Sequence, residues 1–277
     1  MSYSDFKCLR VRLDRGVAFV TIDHPPINLL DRELMLEFHY LGKQLEQDNA
    51  VKVAVFESAN PEFFIAHADV AGIQELAAQP PLETERPNFI QAMTDRFRTM
   101  PKATIAKIEG RARGGGSELA LAMDMRFAAK GRALLSQPEV ALGIIPGGGG
   151  TQRLPRLMGR SRAMEIVLGC EDFSAELAER YGYVNRALPP EELGPFVERL
   201  ARRIASFPAE AIAQAKAAVN QAYAATRAEL TGENQAFDKA LRAPETLGRM
   251  QRFLERGGQT REGELELDPL LAALAEE

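Results

Sequence analysis

Residues 103–122 read Ala-Thr-Ile-Ala-Lys-Ile-Glu-Gly-Arg-Ala-Arg-Gly-Gly-Gly-Ser-Glu-Leu-Ala-Leu-Ala, with Gly114, Gly115 and Gly116 directly ahead of Ser117 and Glu118. β-Branched and apolar residues before Gly110 predict a buried strand, and the good helix formers from Glu118 to Met123 predict a helix. Three glycines between such elements permit backbone angles that side chains forbid, and let the chain run close to a ligand. The N–H groups at that helix start lack intrahelical acceptors and carry partial positive charge, which suits a developing oxyanion. A second piece, residues 136–152, reads Ser-Gln-Pro-Glu-Val-Ala-Leu-Gly-Ile-Ile-Pro-Gly-Gly-Gly-Gly-Thr-Gln. It sets Glu139 ahead of another glycine turn and predicts a helix from Thr151. Two glutamates, Glu118 and Glu139, therefore bracket one set of backbone donors.

Blander readings compete. A glycine run between strand and helix is often only a close-packed turn, and a glutamate in a first helical turn often only complements the helix dipole. A phosphate loop is excluded, because no Gly-Lys-Ser/Thr follows either run and no Gly-x-Gly-x-x-Gly register fits them. A paired-carboxylate glycosidase would want aromatic sugar platforms, and the chain has no Trp.

With 277 residues, folding buries roughly three quarters of the extended surface, enough for one large domain or two small ones. Hydrophobic content of 45% and charged content of 26% place the chain among ordinary globular proteins. No run approaches the ~18 apolar residues of a membrane span, and the N-terminus lacks an apolar signal core, so a cytoplasmic protein is expected. Cys8 and Cys170 are too few for a disulfide framework and read as buried thiols or bystanders. His24, His39 and His67 are scattered, so no metal site is expected. From Gly257 onward six acids face Arg261, a net of −5 that equals the formal charge of the whole chain. That balance, without a lysine-rich helix, argues against nucleic acid as a partner.

Along the chain, Leu9, Val11 and Leu13 alternate, Asp14-Arg15-Gly16 turns, and residues 17–22 return, predicting a β-hairpin. Asp31 caps a predicted helix whose Leu34, Phe38, Leu41 and Leu45 recur on one face. Residues 51–56 predict a buried strand, residues 160–169 an amphipathic helix, and Ser174 a helix cap. Residues 72–101 are the least regular, with prolines between 80 and 87, and suggest a lid or binding loop. Beyond Pro189, Leu193, Val197, Leu200 and Ile204 form one helical stripe, and Ile212, Ala215, Val219 and Tyr223 another. Both are expected to pack against neighbouring helices.

The segment at 114–120, followed by residues 137–154, resembles the enoyl-CoA hydratase/isomerase (crotonase) superfamily, from about Arg10 to about Tyr223. Residues 64–70, Phe-Ile-Ala-His-Ala-Asp-Val, match that family's Phe-x-Ala-Gly-Ala-Asp-(Ile/Leu) block, with His67 where the family usually has Gly. The resemblance implies an α/β fold with a ββα spiral core over residues 1–190, a C-terminal helical trimerisation region over 191–256 and an acidic tail over 257–277. It implies an oxyanion hole from the N–H groups of Ala68 and Gly115, with Glu118 and Glu139 as catalytic acids. Ala66, His67, Asp69, Val70, Gly114 and Gly147 would contact substrate or CoA. The His67 imidazole is expected to point outward, with a cofactor or substrate contact, or a catalytic or pH-sensing part, as the alternatives.

The implied activity is hydration of an enoyl-CoA in fatty acid metabolism by a homotrimer or hexamer, with coenzyme A as part of the substrate and no separate cofactor. Retention of both acids favours hydration over double-bond isomerisation or another CoA-thioester reaction, and over a non-catalytic oligomeric or RNA-binding role. The family's usual lysine ahead of its early Asn-Ala-Leu is missing, with Pro26 near that place. The ending beyond Ala243 also departs from the family's, so the CoA phosphate contacts are not carried over.

Overall fold

A computed structural model describes residues 3–79, 87–223 and 227–274. In chain order, β1 (Leu9–Asp14) and β2 (Val17–Ile22) precede α1 (Arg32–Gln47), and β3 (Val53–Ser58) and β4 (Phe63–Ile65) precede α2 (Val70–Ala77) and α3 (Phe89–Thr99). Next come β5 (Ala103–Ile108), β6 (Arg111–Arg113), α4 (Gly115–Ala122), β7 (Met125–Ala129), β8 (Leu134–Ser136), α5 (Gly150–Met158) and α6 (Arg160–Gly169). β9 (Phe173–Ser174) and β10 (Arg186–Leu188) flank α7 (Ala175–Tyr181). The chain closes with α8 (Pro190–Ala205), α9 (Ala209–Tyr223), α10 (Arg227–Leu241), α11 (Thr246–Glu255), α12 (Arg261–Leu265) and α13 (Leu267–Ala273).

The strands form two sheets, β1-β2-β3-β5-β7-β10 and β4-β6-β8-β9. Successive pairs β3/β4, β5/β6 and β7/β8 each give one strand to either sheet before a helix follows, which is the expected ββα spiral. β1 and β2 form the predicted hairpin, in register from Leu9↔Ile22 to Asp14↔Val17, and β2, β3, β5, β7 and β10 run parallel. These central strands are mostly apolar because both faces are covered, with Thr104, Lys107 and Arg126 among the polar exceptions. Ala18, Val20, Ala54, Phe56, Ala106 and Ile108 join the inner core. The alternate residues Val17, Phe19, Val53, Val55 and Ile105 pack under Leu193 and Val197 of α8, as a side-chain period of two requires.

Several local expectations hold. Asp31 caps α1 by accepting from Leu34 N–H at 2.9 Å, and Ser174 caps α7 at Leu177 N–H, 3.3 Å away. α4 begins at Gly115, three residues before the predicted start, because Gly114 at φ +46° makes the turn and the next two glycines are already helical. Residues 72–101 are more regular than expected: Asn88 and Gln91 form a capping box that starts α3. The predicted loop falls largely on 80–86, outside the described residues.

One expectation is corrected. Ile212 of the α9 stripe packs against the core beneath the sheet, but Ala215, Val219 (69%) and Tyr223 (43%) are left exposed. It is the polar side that faces the body. Lys216 Nζ donates to the Phe97 and Lys102 carbonyls at 2.8 Å and pairs with Asp124, and Asn220 donates to Arg98 O. The acidic stretch is largely helical over its described residues, 257–274. α12 and α13 bury Leu267 and Leu271, and the Glu264 carboxylate is compensated inside by His67 and Arg113. No helix among the described residues is long and apolar enough to cross a membrane.

Candidate active site

The end of β4 and the start of α4 meet. Leu30 forms an isolated parallel bridge with Ala68, in which Leu30 N–H donates to His67 O at 2.9 Å and Asp69 N–H to Leu30 O at 3.2 Å. In such a bridge the intervening residue's own N–H and C=O point the other way, so the Ala68 N–H turns away from Leu30. Gly115 opens α4, and its N–H has no intrahelical acceptor. A methyl placed on Gly115 would lie 3.2 Å from Ala68 Cβ and 3.5 Å from Ala68 N, and one on Gly116 would lie 2.6 Å from Ile65 O. Glycine is required here because the helix start presses against the strand end. The two predicted donors are thereby brought side by side.

Both predicted acids turn inward, Glu118 at 3% and Glu139 at 8% exposure. Glu118 Oε1 accepts from the N–H groups of Gly148 at 2.7 Å and Gly150 at 2.8 Å. Glu139 lies against the first glycine turn, where a methyl on Gly114 would meet its Oε1 at 3.0 Å. With the amide orientation that its neighbours favour, Gln137 donates to both Glu139 oxygens at 3.1 Å and accepts from Ser117 Oγ. Ser117 in turn bonds the buried Tyr183 hydroxyl at 2.6 Å.

A third carboxylate was not foreseen. Glu233, buried on α10, accepts from Gly149 N–H at 2.9 Å. Nothing local in residues 227–241 marks it, since its partner lies 84 residues away. Arg153 braces the same turn through Gly148 O at 2.7 Å and reaches Thr94 Oγ1.

Burial dominates the electrostatics. It pushes the Glu118 carboxyl up to about 7, opposed by the Gly150 and Gly148 N–H groups and Arg153. Burial and the repulsion of Glu118 push Glu233 up to about 8. Burial, then Glu118, holds Glu139 well above the ordinary carboxyl range. Three like groups desolvated together do not all ionise near neutrality, so the site holds proton donor and acceptor at once.

The remaining predicted contacts have structural work. Ala66 is core, its N–H donating to Ile27 O at 3.2 Å, and Val70 packs in the cluster with Leu142 and Phe253. Asp69 caps α2 through Ala71 N–H at 3.1 Å and accepts from Gln259 at 2.9 Å. Gly147 lies beneath α10, where a methyl would sit 2.7 Å from Phe237, and its carbonyl accepts from Asn88. His67 does not point outward: it is 5% exposed, and its ring contacts Glu264 and Phe253.

Other clusters carry no comparable chemistry. Cys8, His24 and Asp31 line up, with 3.2 Å from Cys8 Sγ to His24 Nδ1 and 2.7 Å from His24 Nε2 to Asp31. Burial pushes the Cys8 thiol up to about 12, the wrong direction for a nucleophile. Cys8, Glu33 and Glu37 lie together as well, but both Glu37 oxygens accept backbone N–H groups from Lys7 and Cys8.

A family model for enoyl-CoA hydratase/isomerase matches residues 12–263. The chain belongs to that family, the crotonase superfamily. A crotonyl-CoA hydratase from Syntrophomonas wolfei is 37% identical over 209 residues, 75% of this chain and 79% of the relative. A short-chain-enoyl-CoA hydratase from Clostridium acetobutylicum is 32% identical over 243 residues, covering 87% and 92%. A crystal structure from Streptomyces avermitilis, provisionally named an enoyl-CoA hydratase, superposes with a TM-score of 0.89 at 41% identity, over 98% of this chain and 100% of that one. The fold is that of the crotonase superfamily, and the two relatives named above are a crotonyl-CoA and a short-chain-enoyl-CoA hydratase.

Proposed function

We propose that this protein hydrates 2-enoyl-CoA thioesters, with coenzyme A entering as part of the substrate and no further cofactor needed. The observation that carries this reading is that the Ala68 and Gly115 backbones lie side by side, with the buried Glu139 against the adjoining Gly114 and the buried Glu118 in the first turn of the same helix. The thioester oxygen accepts both N–H groups. Water oxygen then bonds to the β-carbon, and the double-bond electrons shift toward the carbonyl as enolate charge, which the two donors stabilise. Glu118 takes the proton from water, since the ionised form that this requires is the one held by the two glycine N–H bonds. Glu139, held well above the ordinary carboxyl range by burial and then by the charge of Glu118, keeps its proton longer and delivers it to the α-carbon. One C–O and one C–H bond form as the C=C π bond and one water O–H bond break, the product gains one water, and the proton left on Glu118 passes back to Glu139 before the next turnover.

The exposed α9 stripe supports a homotrimer or hexamer built through this helix. Val219→Asp should yield monomers by light scattering, whereas an unchanged mass would place the interface elsewhere. For the reaction itself, the protein is offered crotonyl-CoA and a 3-enoyl-CoA. Hydration removes the conjugated-enoyl absorbance and adds one water to the product mass. Interconversion of the two alkenes without mass gain would instead make it an isomerase.

A further inference from the structure

His67 is enclosed by charged groups that neither acid catalysis nor the fold of the spiral explains. Its Nδ1 lies 2.7 Å from Ala68 O and its Nε2 lies 2.9 Å from Glu264 Oε1. Both partners accept. A neutral imidazole has a single N–H and can serve only one of them, so the pair is satisfied by imidazolium against carboxylate. Glu264, 0% exposed on α12, is built to be ionised: its Oε1 also accepts Gln259 N–H at 2.9 Å, and its Oε2 lies 3.6 Å from Arg113 Nη1. Arg113 donates to Asp172 and to the Glu264 carbonyl, so two buried cations meet two acids. Asp268 stands beyond, near Asp172 and Arg113, and Glu139 lies across Gly114. The Phe253 ring closes edge-on at 5.8 Å between centroids.

We propose that His67, charged and held by Glu264, is a positioning residue that clamps the Ala68 carbonyl and so aims the Ala68 N–H at the thioester oxygen. The clamp rests on the reaction proposed above. Leu30 fixes the His67 carbonyl on one side of this backbone, and the ring fixes the Ala68 carbonyl on the other. α12 thereby becomes a wall of the oxyanion site, joined across 197 residues of sequence. Burial alone would lower the His67 pKa, but attraction and hydrogen bonds from Glu264 and the Ala68 carbonyl together raise it above 6.5. Burial likewise pushes Glu264 up, yet His67, Gln259 and Arg113 bring it below 4.5. The clamp is therefore lost as pH rises through the raised histidine value, or falls through the lowered glutamate value.

The test is nitrogen-detected NMR of the imidazoles in the full-length protein, where only three histidines need assignment. His67 should carry protons on both nitrogens at neutral pH and titrate above 6.5; a single-proton ring there overturns the proposal. His67→Gln and Glu264→Gln should each lower kcat for crotonyl-CoA about tenfold, ~1.4 kcal/mol, with KM within about twofold. The infrared stretch of a bound, carbonyl-labelled acyl-CoA should be less displaced in both variants than in the wild type. An unchanged stretch and kcat in folded variants contradict the clamp. The NMR and infrared readings need no turnover, so they decide the clamp even where hydration itself is absent.

Discussion

The two glycine turns look alike in sequence and do opposite things with their N–H groups. At the first, Gly114 to Gly116, glycine is needed because β4 and Ala68 press on the helix start, and the Gly115 N–H is left for a ligand. At the second, the N–H groups of Gly148, Gly149 and Gly150 are all taken by carboxylates, alternately Glu118, Glu233 and Glu118. In the proposed reaction the first turn would present a donor to substrate, while the second holds Glu118 and Glu233. Identical chemistry in the backbone is thus divided by what packs around it.

The largest break in this comparison comes from the acids. Glu118→Gln and Glu139→Gln should each lower kcat by about 10³-fold or more, within the range for a lost general acid or base, while calorimetry still detects CoA-ester binding. Gly148→Ala comes next. Its methyl would lie 2.6 Å from Glu118 Oε2, so a loss on the order of 10²-fold in kcat is expected without loss of the spiral fold by circular dichroism.

Glu233→Gln sharpens the comparison, because it touches only the second turn. About a tenfold loss of kcat is expected, together with a stability change of definite sign. A carboxyl whose folded pKa is raised from 4.5 to about 8 costs stability as pH rises between those values. The variant should therefore melt a few degrees higher than wild type at alkaline pH and close to it at acid pH. In the wild type, kcat/KM should fall as pH drops below about 7, where Glu118 takes up its proton. The smallest effect serves as control: Gly169→Ala meets nothing within 4 Å and ends α6, so activity should stay within about twofold of wild type, the helix gaining only the ~1 kcal/mol or less that separates alanine from glycine.

What the sequence made legible was local or periodic. The hairpin, the caps at Asp31 and Ser174 and the apolar strands follow from patterns a few residues long. Ala68, Gly115, Glu118 and Glu139 stood in blocks that could be matched as blocks. What escaped lay far apart in the chain. Glu233 and Glu264 sit on ordinary-looking helices, and each becomes part of the site only through a contact 84 or 197 residues away. Composition likewise counted the acids of the ending without saying that Glu264 meets His67 and Arg113 inside. The α9 stripe misled because periodicity reports an apolar face but not whether the chain itself covers it.

The most direct measurement mixes crotonyl-CoA with the wild-type protein and with Glu139→Gln, following conjugated-enoyl absorbance and product mass while calorimetry reports binding. The wild type should consume the enoyl and add one water, and the variant should bind with similar affinity and leave the alkene intact. Turnover by the variant at the wild-type rate, or binding by the wild type without consumption, would contradict a site built from two peptide donors and a buried pair of acids.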